Sequence, residues 1–260
     1  MKLLLKKIAK SKVATIIRNT LNIKPIYLKT FEKDYFTTIS DAFLWRTDNG
    51  YKTKFKYSDI LSLFYKIHDS HVELHFYTKE NKLIKIKKIN YLNISNEVEI
   101  TSPFLNNIDD YGVFYIYHYL KKKDDLGYNG IISNRCYLGY SKNNNLYSFV
   151  HGNILAKYTN ISCNDNDKIS SDIVKMSLFE NQIYTIQKYF NDFDKNELIF
   201  INPTTKIIKF SVENKKYRLN PHCALMVQVK SSIISIKSNC LFLRPTVFSY
   251  KDEYMDVHHS

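Results

Sequence analysis

The chain has 260 residues, 44% of them hydrophobic, 15% aromatic and 24% charged, with a formal net charge of +13 and a pI near 9.3. That is enough apolar side chain for one large core or two smaller ones, and too much for a disordered chain. Six scattered glycines exclude a P-loop or a dinucleotide fingerprint, both of which need clustered glycines so that backbone amides can approach phosphate.

The positive charge is almost entirely lysine; arginine occurs only as Arg18, Arg46, Arg135, Arg218 and Arg244. Lys, Asn, Ile, Tyr and Phe are all abundant, the bias expected of an AT-rich genome, so the charge needs no polyanion to explain it. Scarce arginine also disfavours bidentate reading of phosphates or bases. Cys136, Cys163, Cys223 and Cys240 form no CxxC pair. They read as buried thiols, although their even number leaves two disulfides open.

In chain order, "MKLLLKKIAKSKVATIIRNTLNIKP" starts like a signal peptide, but Lys6, Lys7, Lys10 and Lys12 break its apolar run. It is assigned as a basic helix within residues 1–30, packed on the body, with an anionic membrane surface as the alternative. No stretch reaches the ~18 apolar residues of a membrane span, and the expected location is cytoplasmic.

From Ile39 the dominant period is two. Asp48-Asn49-Gly50 predicts a hairpin between "AFLWR" and "YKTKFKY", since Asn-Gly suits the positive φ angles of a tight turn. "YSDILSLFYKI" predicts a short helix capped by Ser58 or Asp59. "HVELHFYTKENKLIKIKKI" predicts a second hairpin turning at Lys79 to Lys82, followed by the strands "EVEITSPF" and "YGVFYIYHYL". "RCYLGYSKNNNLYSFVHGN" predicts a third, turning at Asn143 to Asn145. The polar run from Asn160 to Asp172 is the expected boundary between a β-sandwich or barrel over 31–165 and a second β-sandwich over 166–260. With scarcely a crossover helix, the fold class is all-β: antiparallel sandwich or barrel modules with a short N-terminal helix.

Three constellations are candidates for function. In "HVELH", His71, Glu73 and His75 alternate with Val72 and Leu74, so a strand puts all three on one face, where a His pair and a carboxylate can serve a zinc ion. The same pattern describes the solvated face of a hairpin with Lys85 and Lys87 opposite, which is the preferred reading. The third hairpin interleaves Arg135, Tyr137, Tyr140, Tyr147, His151 and Asn153, and its alternation brings Arg135, Tyr137, His151 and Asn153 to one surface. Flat aromatics beside guanidinium and amide groups are what a sugar ring requires. Trp45 and Arg46 lead into the first turn, either in the core with Arg46 paired to a carboxylate or at a cleft edge. In the closing "DEYMDVHHS", Asp256 and His258 share one face and His259 points the other way, so the two histidines cannot chelate one ion in an extended chain.

The expected function is non-enzymatic recognition of a carbohydrate or glycan-linked precursor through Trp45, Arg46, Arg135, Tyr137, His151 and Asn153, with no catalytic residue, metal or cofactor. Two alternatives stand beside it. One is a metal- or His-dependent enzyme on sugar or nucleotide substrates using His71, Glu73, His75 or His151; the other is a basic nucleic-acid-binding or virion structural protein.

Overall fold

The computed structural model describes residues 8, 11–21, 37–120, 131–134, 136–160, 171–173, 182–187, 193–230, 233–238, 240 and 243–259. Strand accounts for 59% of it and helix for 10%, so the architecture is all-β. Arg135, Cys163 and most of the polar run expected to divide the chain, 161–170, lie outside the described residues.

Near the N-terminus a helix, α1 (Lys12–Thr20), begins at Ser11, whose Oγ accepts the Ala14 N–H at 3.2 Å. The chain then alternates between sheets. β1 (Thr37–Asp41) and β2 (Phe43–Arg46) are one extended run broken at Ala42, and each half joins a different sheet. β1 lies between β11 (Leu155–Asn160) and β8 (Ile131–Ser133), with β12 (Ser171–Asp172) outside β11; β8 pairs parallel to β1. β2 edges a second sheet with β7 (Tyr111–Leu120), β4 (Ser70–Thr78) and β5 (Leu83–Ile89) in that order. β3 (Tyr51–Ser58) is central in a third, between β6 (Ser95–Ile100) and β9 (Tyr137–Lys142), with β10 (Ser148–His151) at the edge.

The Asp48–Gly50 turn differs from the expected hairpin. Asn49 (φ 51°) and Gly50 (φ 78°) do take positive φ, but β2 and β3 belong to different sheets, so the turn is a corner of the sandwich. The second and third hairpins form as expected, β4 with β5 and β9 with β10. The helix after β3 is α2 (Ile60–Tyr65), capped by Asp59, which accepts the Ser62 N–H at 3.1 Å.

The first core lies between the second and third sheets. Alternation in β3 sends Tyr51, Thr53, Phe55 and Tyr57 inward and Lys52, Lys54 and Lys56 outward. Phe55 meets Phe114 edge-on at 4.8 Å and Phe43 at 5.0 Å, and Phe76 stacks on Phe114 at 5.0 Å. Where β2 passes β7, Gly112 leaves room for the Trp45 indole, whose N–H donates to the Tyr77 carbonyl at 2.9 Å. A Cβ at Gly112 would stand 2.2 Å from that carbonyl oxygen. Gly112→Ala is therefore expected to lose about 1 to 3 kcal/mol of stability in a denaturant titration, by overpacking against backbone that cannot yield.

The remaining strands build two further sheets. One is ordered β13 (Gln182–Gln187), β18 (Ile233–Ser238), β15 (Ile208–Val212), β16 (Lys215–Leu219). The other is ordered β17 (Ala224–Val229), β14 (Lys195–Ile201), β19 (Thr246–Lys251), β20 (Tyr254–His259). β14 explains the continuous apolar run "LIFI". Leu198 and Phe200 enter a second core with Phe210 and Ile236, while Ile199 and Ile201 enter the first with Phe248 and Val257. β14 is thus buried on both faces.

Candidate functional site

The third hairpin supplies an exposed surface. In its register Tyr137 faces His151 and Gly139 faces Phe149, all on the face turned away from the core, while Leu138, Tyr140 and Val150 point inward. Across β3 and β6 the same rows continue: Tyr137 to Lys56 to Glu97, and Gly139 to Lys54 to Glu99. The result is a sheet face with aromatics along one side and paired charges along the other. Tyr137 is 57% exposed and Phe149 44%. Phe149 lies over Gly139, where a Cβ would come within 2.5 Å of its ring. Tyr147 continues the aromatic row, 5.9 Å from Phe149, and donates its hydroxyl to Glu99 at 2.7 Å. Lys54 pairs with Glu97 at 2.8 Å and lies over the Tyr147 ring; Lys56 reaches Glu97 at 3.5 Å and lies over Phe149. Lysines in a row beside aromatics would suit a polyanion, but Glu97 and Glu99 stand next to them and make this face mixed in charge.

Beside this face opens a cleft of about 400 Å³ lined by Asp41, Asn134, Cys136, Tyr137, His151 and Asn153, among others. Its size is that of a small-ligand site. Its floor is rigid. Asn134 is buried and donates through Nδ2 to the Thr38 hydroxyl at 3.2 Å and the Ile39 carbonyl at 3.3 Å. Gly152 lets the Asp41 carboxylate lie against the backbone, since a Cβ there would sit 2.1 Å from Asp41 Oδ2. Burial first, and then the charge of Asp41, push the Cys136 thiol well above its ordinary range, so it stays protonated. At the rim, His151 Nδ1–H donates to the Gly152 carbonyl at 2.8 Å, and Asn153 Nδ2 donates to the Arg244 carbonyl at 3.1 Å.

The final strand packs against this rim. β20 pairs with β19 and places Val257 in the first core, Asp256 beside His258 (3.4 Å), and His259 on the opposite face. His259 lies against His151, ring centroids 4.7 Å apart, and donates from Nε2 to the His151 carbonyl. Burial holds the His259 ring down to about 4, so it is neutral at physiological pH.

Tyr137, His151 and Asn153 all line this cleft. Trp45 and Arg46 are placed elsewhere, in the interior. The Arg46 guanidinium, 1% exposed, is held by Asp48 through Nε at 2.9 Å and Nη2 at 2.8 Å, and by Glu197 through Nη1 at 2.8 Å. It lies 3.9 Å over the Tyr51 ring and 4.7 Å from that of Phe248. Tyr250 donates to Glu197 at 2.6 Å and hydrogen-bonds Tyr51, and Lys195 donates to Glu197 at 2.8 Å. Burial alone would raise the Glu197 carboxyl; the bonds from Lys195 and Tyr250 and the charge of Arg46 hold it at about 2. With every charge paired, this cluster ties β2 to β14 and offers no surface to a ligand.

The "HVELH" row corrects the solvated-face reading. β4 is flanked by β7 and β5, and its His71, Glu73 and His75 share a face with Tyr119, Tyr117 and Tyr115; His71 and Glu73 are buried. His75 Nε2 donates to Glu73 at 3.0 Å, and its ring meets Tyr117 edge-on. The β4–β5 register differs by one from the expected one: Lys88 stands opposite Glu73, whereas Lys85 and Lys87 face Phe76 and Leu74. Among the described residues, no three His, Cys, Asp or Glu side chains converge as a metal site. The cysteines described, Cys136, Cys223 and Cys240, are in the thiol form.

No protein-family model matches this chain, and no curated protein does. A solved structure similar to it is that of the major pilin protein T3.2 from Streptococcus pyogenes, 9% identical, spanning 87% of this chain and 95% of the pilin with a TM-score of 0.20. A likeness of that size carries no inference about function.

Proposed function

We propose that the protein is a non-enzymatic recognition module that binds carbohydrate on the outer face of the β10-β9-β3-β6 sheet. The observation that carries this reading is the row of the exposed Tyr137 and Phe149 and the half-buried Tyr147 alongside the Lys54, Lys56, Glu97 and Glu99 charges. Flat rings cover the apolar faces of a sugar, and ammonium donors next to carboxylate acceptors serve its hydroxyls. The cleft at Tyr137 and His151 receives a terminal residue or branch at one end of that face. Mixed charge favours a neutral glycan over a polyanion.

A glycan array followed by titration tests this. Tyr137→Ala and Phe149→Ala are each expected to weaken the glycan so identified by about 1 to 3 kcal/mol, through lost stacking, without changing the melting temperature. Phe64→Ala, an exposed aromatic on α2, is expected to leave affinity unchanged. An array without a ligand, or wild-type affinity in both ring variants, overturns the reading.

A further inference from the structure

α1 presents an apolar stripe to solvent. Val13 (66% exposed), Ile16 (60%), Ile17 (50%) and Leu21 (63%) recur at the spacing of one helical face, within an arc of about 140°. An amphipathic helix belonging to a globular core would bury this stripe; here each of these side chains is at least half exposed. The surrounding sequence states what can cover it. Residues 1–31 contain Lys2, Lys6, Lys7, Lys10, Lys12, Arg18, Lys24 and Lys29, and no acidic residue precedes Glu32. A second copy of the same segment would bring like charges together. A nucleic acid would neutralise the charge but leave the valine, isoleucines and leucine in water. An anionic lipid surface satisfies both, by taking the apolar face into its acyl boundary and the ammonium groups among its headgroups.

We propose that α1 is an interfacial helix that seats this protein on an anionic membrane. It lies on the bilayer and does not cross it: its nine residues rise only about 14 Å, and no helix among the described residues is long and apolar enough to span. The stripe supplies insertion and the basic segment supplies lipid selectivity.

The test is sedimentation of the full chain with vesicles of phosphatidylcholine alone and with about 30% phosphatidylserine. Partition to the phosphatidylserine vesicles is expected to be at least about tenfold stronger, and to weaken as salt rises to about 0.5 M. The double variant Ile16→Asn, Ile17→Asn keeps the charge and removes the stripe. It is expected to lose at least about tenfold in binding with an unchanged melting temperature, because both side chains are exposed in the folded protein. Undiminished binding of this variant would show that charge alone attracts the chain and would overturn the proposal. So would equal or absent binding to the two vesicle types, or a dimer in sedimentation equilibrium that the double variant dissolves.

Discussion

Arg46→Ala is expected to lower the free energy of unfolding by about 3 to 5 kcal/mol, the loss that follows when one partner of a buried charge pair is removed. The substitution would leave Glu197 and Asp48 without the guanidinium that pairs them, and would take the cation from between the Tyr51 and Phe248 rings. For a chain of this size the melting temperature should fall by about 10 °C. A double-mutant cycle with Glu197→Gln isolates the pair: Arg46→Ala should cost less in the Glu197→Gln background than alone, and strict additivity would show that the two side chains do not interact.

The same cluster sets an acid limb. Glu197 titrates at about 2 in the folded protein against an ordinary 4.5, so its contribution is complete above 4.5 and is lost as pH falls toward 2. His118 acts earlier. Complete burial of its ring pushes it from an ordinary 6.5 to about 4, so its contribution is complete above 6.5 and declines as pH falls from 6.5 to 4. Melting temperature against pH should therefore decline in two stages. Glu197→Gln should flatten the lower one and leave the upper in place.

Phe114→Ala is the second large effect, expected to cost about 3 to 5 kcal/mol in a denaturant titration. Its ring is fully buried at the centre of the first core, in contact with Phe43, Phe55 and Phe76 from three other strands, and the strands that carry those partners are held in place by two sheets. Such a site cannot collapse to fill the space, so the cavity cost adds to the lost transfer energy. Phe114→Leu should recover most of the loss; if both variants were equally destabilised, packing volume would not be the cause.

The outer sheet face and the helix owe their legibility to local chemistry. Alternation in "YKTKFKY" separates the lysines from Tyr51, Phe55 and Tyr57 whatever the sheet's neighbours are, because successive strand side chains point to opposite faces. Asn143 and Asn144 tolerate the positive φ that closes the third hairpin, and the register that follows sets Tyr137 opposite His151. The apolar spacing of α1 and its flanking lysines are likewise properties of a short stretch.

Only the tertiary structure decided which surfaces remained open. Arg46 meets Glu197 across 151 positions of sequence, and no local period encodes that closure. "HVELH" has the same alternation whether its face is wet or covered, and its burial depends on a sheet that also aligns Tyr115, Tyr117 and Tyr119. Asp48-Asn49-Gly50 turns the chain equally well within a sheet or between sheets; the corner it makes was chosen by the partners of β2 and β3. Asp41 and His259 reach the cleft region from β1 and the final strand, because register between distant strands is set by which faces can be buried together.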